Sequence, residues 1–78
     1  MTLESLLKEA FPQATWLEVD ALAMGAFPEW DSIGHFNFLL LVEERTGVQL
    51  TLEEIESGRS LKALQQILRN RGIEISLS

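Results

Sequence analysis

Asp31-Ser32-Ile33-Gly34-His35-Phe36-Asn37-Phe38-Leu39-Leu40-Leu41-Val42-Glu43-Glu44-Arg45-Thr46-Gly47 is the stretch whose reading decides the fold. Two short oxygen-bearing side chains open it, and either can accept an orphan N–H of a first helical turn. A glycine able to take positive φ closes it. The pattern predicts a helix over residues 32–46. Its apolar residues outnumber a single stripe. At about 100° per residue, Phe36, Leu39 and Val42 are assigned to a core line, and Ile33, Asn37 and Leu40 to a second line round the barrel. A helix apolar on two sides is either buried on several faces or offers one of them to something else. In so short a chain full burial is hard to arrange, so the second line is a candidate docking face.

Upstream, Leu3, Leu6, Leu7 and Ala10 recur at helical spacing, which predicts a short amphipathic helix over residues 3–10. Thr2 is placed to cap it, Ser5 occupies the capping-box position that usually holds Glu, and Pro12 stops it. Residues 13–31 read as a long connection with at most a helical turn near Asp20. Trp16, Leu17, Val19, Leu22 and Phe27 are expected to lay it over the core. Downstream, Thr51 and Glu54 form a capping box for a short helix over residues 52–57. Ser60 caps a last helix over 60–71, which carries Leu61, Leu64, Ile67 and Leu68 and is closed by Gly72. Residues 73–78 form a tail that either lies against the body or frays. The expectation is an all-α, single-domain four-helix bundle spanning residues 1–78, with three main helices and one short one. Leu3, Leu7, Phe36, Leu39, Val42, Ile55, Leu64 and Ile67 are the expected core.

Composition narrows the chemistry. A chain of 78 residues is expected to expose about 4,800 Å² when folded, enough for one small core and little else. There is no cysteine, no tyrosine and one histidine, which excludes disulfides, thiolate nucleophiles and cysteine-based metal sites. His35 lacks a ligand set, and Glu53, Glu54 and Glu56 match no calcium loop. Ser32 and His35 lie one helical turn apart, yet no third group orients the histidine for nucleophilic catalysis. The expectation is no catalytic residue and no metal. A net charge of −6 disfavours nucleic acid and anionic lipid and favours partners with basic surfaces. No basic, apolar leader opens the chain and no uncharged run approaches a membrane span, so the expectation is a cytoplasmic protein. Met1 directly before the first helix adds the expectation of a freestanding chain, and a monomer is expected.

Ser32 stands out among the polar residues. It follows an acidic residue, precedes an aliphatic one, and opens the helix with the surplus apolar face. On spacing alone the better reading of Asp31-Ser32 is an ordinary N-cap, common in helical proteins. The run Trp30-Asp31-Ser32-Ile33-Gly34-His35, with Leu39 to Glu44, Gly47-Val48-Gln49-Leu50, Leu50 to Ile55 and Ser60 to Leu68, resembles the acyl carrier protein family. The Asp-Ser-Leu signature of that family stands here as Asp31-Ser32-Ile33. The resemblance implies that Ser32 accepts 4′-phosphopantetheine from coenzyme A, installed by a separate phosphopantetheinyl transferase using Mg²⁺. Asp31 then plays a supporting role. The arm's thiol would hold an acyl or aminoacyl group as a thioester for a loading enzyme and a downstream transferase of a specialised biosynthetic pathway. Ile33, Asn37 and Leu40, with Glu43 and Glu44 nearer the rim, match the positions read by partner enzymes.

The chain departs from the family pattern at Gly34 and Asn37, where acidic residues are usual, and in its short first helix. The first departure implies partner recognition by shape and apolar contact more than by charge, and the second argues against burying a long fatty chain. The Trp30-Asp31-Ser32-Ile33-Gly34-His35 run is more similar to freestanding carriers of specialised pathways, a resemblance that implies small acyl, hydroxyacyl or amino-acid cargo. Gly34 is expected to permit close approach beside the arm. Two other readings stand beside this one: a helical adaptor binding a protein through Ile33, Asn37 and Leu40 without a prosthetic group, and an enzyme in its own right.

Overall fold

The computed structural model describes residues 1–78 and contains four α-helices: α1 (Leu3–Ala10), α2 (Ser32–Thr46), α3 (Leu52–Ser57) and α4 (Leu61–Asn70). A 3-10 turn at Val19–Ala21 interrupts the long first connection. The molecule is thus a small all-α four-helix bundle with three longer helices and one short, and it exposes 4725 Å². No helix is long and apolar enough to cross a membrane.

The helix ends follow from local chemistry. Thr2 Oγ1 accepts from the Ser5 N–H at 3.0 Å, and Ser5 Oγ returns the bond to the Thr2 N–H at 3.0 Å. Serine thus completes a capping box as glutamate would. Thr51 and Glu54 do the same for α3, and Ser60 Oγ accepts from the Ala63 N–H on α4. Helix α2 ends where Gly47 turns left-handed at φ 74°. Gly72, at φ 84°, lets the Ile73 N–H reach back to the Leu68 carbonyl at 2.8 Å, which closes α4.

The core is built from Leu3, Leu6 and Leu7 of α1, Phe38, Leu39 and Val42 of α2, and Leu61, Leu64 and Leu68 of α4, with Phe11, Leu22, Trp30 and Leu50 from the connections. Helix α1 packs mainly on α2, while the 3-10 turn and α3 pack on α4. Ile55 and Ile67 lie half-buried at the edge of this core rather than inside it. Phe36 corrects the sequence expectation, because it is 52% exposed. Steps of three residues lag a full helical turn by about 60° each, so Phe36 and Val42 lie about 120° apart and cannot share a line. The buried line is His35, Phe38, Leu39 and Val42, at spacings i, i+3, i+4 and i+7.

The long connection is tied down by backbone bonds rather than by helix. The Met24 N–H donates to the Arg59 carbonyl at 2.7 Å and the Leu61 N–H to the Leu22 carbonyl at 3.0 Å, joining residues 22–24 to the start of α4. Trp16 and Phe27 stack at 5.9 Å between centroids, but Leu17, expected on the core, points fully into solvent. The tail docks. The Leu3 N–H donates to Ser76 and the Glu4 N–H to Leu77, and Ile75 is buried against the body. These bonds satisfy donors at the N-terminus of α1 that the helix itself leaves open.

Candidate functional site

Asp31 and Ser32 divide the work at the head of α2. Asp31 Oδ1 accepts from the Gly34 N–H at 2.8 Å and is the N-cap. Ser32 is the first helical residue, and its exposed hydroxyl makes no hydrogen bond within the chain. Of the two residues expected to be able to cap, the aspartate does so, and the serine Oγ is free.

The backbone on either side of Ser32 is rigid for reasons of packing. Trp30, one residue before the cap, is fully buried. Its ring lies 5.6 Å from Phe27 and 5.9 Å edge-on from Phe38, while Phe11 meets Phe27 at 5.2 Å. Trp30 Nε1 donates to His35 Nδ1 at 2.9 Å. Residue N′ of a helix commonly packs on N4 as a staple, and Trp30 and His35 hold those two positions. That spacing was the signal in the sequence by which the pair was findable.

Gly34 is tightly enclosed, and not on account of the Ser32 hydroxyl. A Cβ there would overlap the Glu29 carbonyl oxygen and come within 3.0 Å of the Phe11 ring. The glycine lets the Glu29–Trp30 turn lie directly on the first turn of α2.

His35 is buried, and accepting from Trp30 at Nδ1 assigns its proton to Nε2. That Nε2 has no hydrogen-bond partner. Burial first, and then the positive charge of Arg59, hold the imidazole below its usual range, so it is the neutral form that the site favours. The Gly58 backbone offsets part of this, facing Nε2 without reaching proper hydrogen-bond geometry. A small cavity of about 140 Å³ opens beside Ser32, lined by Met24, Ser32, His35, Phe36, Ile55, Glu56 and Arg59. Arg59, which sequence reading did not single out, brings the only guanidinium without an ion-pair partner. Arg45 pairs with Glu9, Arg69 with Glu74 and Arg71 with Glu54.

The expected docking residues fall into two groups. Ile33 is 75% exposed and Leu40 47% exposed; Asn37 is exposed beside them, and Phe36 joins them to make one apolar strip along α2. Glu44 is exposed, as a rim residue must be. Glu43 is not free in the same way: its Oε2 accepts from the Leu50 N–H at 2.7 Å, pinning the α2–α3 link to the end of α2. No group of three or more His, Cys, Asp or Glu side chains is arranged to hold a metal ion. Compared with models of known families the chain matches none, and no significant match to a curated protein or a solved structure was found.

Proposed function

We propose that this bundle is a carrier protein whose Ser32 hydroxyl is the attachment point for a 4′-phosphopantetheine arm. One observation carries the reading. Ser32 Oγ is exposed and unbonded at the head of α2, because Asp31 has taken over the capping that a serine in this position would otherwise do. A hydroxyl with no structural task, on a turn locked by Trp30 and His35, is presented in a fixed place to an incoming transferase. The residues around it suit a phosphodiester-linked group. The free N–H groups of the first turn of α2 and the positive end of its dipole favour an anion there, and Arg59 lines the adjoining cavity.

Attachment forms a bond from Ser32 Oγ to the phosphorus nearer the pantetheine of coenzyme A and breaks the pyrophosphate linkage. The nucleoside bisphosphate leaves, and the serine proton passes to a base on the transferase. When bound, the arm supplies a terminal thiol able to hold an acyl or aminoacyl group as a thioester. The chain's own contribution is placement. Asp31 and Trp30 fix the attachment turn, and Ile33, Phe36 and Leu40, with the polar Asn37 among them, offer a largely apolar surface beside it for a loading enzyme and a downstream transferase. Tethering of this kind raises the effective concentration of cargo at each partner without the chain performing chemistry itself.

The test is intact-mass analysis after incubation with coenzyme A, Mg²⁺ and a broad-specificity phosphopantetheinyl transferase. One arm is expected on the wild type, mapping to the peptide that contains Ser32, and none on Ser32→Ala. No arm under conditions that modify a known carrier rejects the reading. The exposed Ile33, Phe36 and Leu40 strip would then favour the second reading, an adaptor that binds a protein through that face with no prosthetic group.

A further inference from the structure

Two features around Ser32 are left without a role by attachment alone. His35 is 5% exposed and carries a buried Nε2–H that no acceptor meets in good hydrogen-bond geometry, the Gly58 backbone being its nearest compensation. A buried donor without a good acceptor is destabilising, so this one is a penalty unless something fills it. Arg59 is the one arginine without a carboxylate partner, in a chain where carboxylates outnumber cations two to one. Both residues line the same cavity as Ser32. The largest cleft of the molecule, about 410 Å³ between α1 and residues 14–16, presents nothing comparable. There Lys8 Nζ already donates to the Ala14 carbonyl and Trp16 Nε1 to Glu4.

We propose that the cavity between α2 and the α3–α4 turn is a phosphate subsite, in which Arg59 and the Nε2–H of His35 hold the anionic root of the group esterified to Ser32. The inference rests on the carrier reading for the source of that phosphate. The chemistry matches on each count. A guanidinium pairs with phosphate oxygens through two parallel N–H donors. The imidazole N–H is a fixed neutral donor, oriented from behind by Trp30. Met24 and Phe36 line the same cavity, the first unbranched and adaptable, the second half-exposed, so its wall can yield to an entering oxygen, which would compete with the Gly58 backbone for Nε2. Glu56 in the same lining works against free anions, so the site favours a phosphate delivered by attachment, at high effective concentration. The consequence is directional. The root of the arm is drawn toward the α3–α4 turn, which leaves Ile33 and Leu40 uncovered for a partner.

The experiment uses the loaded chain and reads two signals besides any activity: ³¹P relaxation of the phosphodiester and the ¹⁵N titration of the His35 imidazole. Loading is expected to make the imidazole bind its proton at least about threefold more tightly, half a unit in pKa, because an anion now faces it. The phosphorus is expected to tumble with the protein body. In loaded Arg59→Gln, checked for fold by circular dichroism, that gain should fall by half or more relative to unloaded Arg59→Gln, and the phosphorus should relax like a flexible linker. A gain as large in Arg59→Gln as in the wild type, or phosphorus relaxation unaffected by the substitution, overturns the subsite while leaving the carrier reading intact. If the wild type takes no arm, it is the carrier reading that fails. The cavity is then decided by titrating the unmodified chain with inorganic phosphate up to the millimolar concentrations that attachment would supply, enough to offset Glu56. A saturable shift of the His35 resonances that is lost in Arg59→Gln supports the subsite, and no shift, or one equal in both chains, overturns it.

Discussion

Gly34→Ala sets two effects of opposite sign against each other. In a helix interior, alanine in place of glycine gains about 1 kcal/mol of propensity. The new Cβ, however, would overlap the Glu29 carbonyl oxygen and sit 3.0 Å from Phe11 Cε1 and 3.1 Å from its Cζ. The obstructing oxygen is backbone, and its turn is held by the full burial of Trp30 and by the Gly25 N–H bonded to the Trp30 carbonyl at 2.8 Å. It cannot swing aside as a side chain would. Ordinary contact is restored only if the turn backs off by about 1 Å, which loosens Trp30 in its aromatic pocket. Overpacking of this kind costs roughly 1–3 kcal/mol, and the backbone obstacle places it in the upper part of that range. The net expectation is a loss of about 1–2 kcal/mol, at about 4–8 °C of Tm per kcal/mol for a domain of this size. Urea and thermal unfolding followed by circular dichroism measure it directly. A Gly34→Ala chain that is more stable than the wild type by about the propensity gain would show that the Glu29 turn does not lie on α2, and the account of this glycine would fail.

Asp31→Ala should cost about 1 kcal/mol of stability and Ser32→Ala only a few tenths, since only the aspartate caps α2; equal losses in urea unfolding would return the cap to both. Leu39→Ala should cost roughly 2–5 kcal/mol, whereas Phe36→Ala, at a half-exposed position, should cost under about 1.5 kcal/mol. A reversed order in urea midpoints would mean the faces of α2 are wrongly assigned. Leu40→Ala should lower the kcat/KM of a cognate loading enzyme by about tenfold with the fold intact, while Glu44→Lys should slow loading chiefly at low salt. Normal loading of Leu40→Ala beside salt-independent failure of Glu44→Lys would make recognition a matter of short-range acidic contacts. His35 also makes a pH prediction. Burial, then Arg59, hold its folded pKa below the usual value of about 6.5. The unfolded chain therefore takes up a proton before the folded one does. The stability linked to this group is complete above about pH 6.5 and is lost as pH falls from there through the depressed folded value. The wild-type advantage over His35→Gln in urea midpoint should stay constant above that pH and shrink below it, and an advantage that grows on acidification would refute the assignment. Glu54, held low by the Thr51 N–H first and by Arg71, acts only in the more acidic range beneath the ordinary carboxylate pKa.

The helix spans were legible in the sequence almost to the residue because caps and terminators are local. Thr2, Asp31, Thr51 and Ser60 each satisfy an N–H three residues on, and Gly47 and Gly72 need only their own φ to end a helix. The place of Ser32 in the first turn of α2 was legible for the same reason, whereas its proposed role came from the resemblance of Asp31-Ser32-Ile33 to a family signature and not from the local pattern. Which face of α2 is buried was not legible. Helical spacing already separates Phe36 from Val42 by about 120°, but the apolar residues nearly encircle the helix, and which arc of it is buried is decided by packing against α1. The remaining features of the site join residues that no local rule connects. Glu43 is claimed by the Leu50 N–H, Gly34 by the Glu29 carbonyl, and the tail by the open donors of Leu3 and Glu4. Arg59, unremarkable in the chain, stands beside Ser32 and His35 only because residues 22–24 pair with 59–61 and seat the α3–α4 turn against α2. Helix termini answer to hydrogen bonds a few residues long, and the sequence alone determines those. The environment of the serine answers to burial and to the pairing of distant backbone groups, which exist only once the elements have packed.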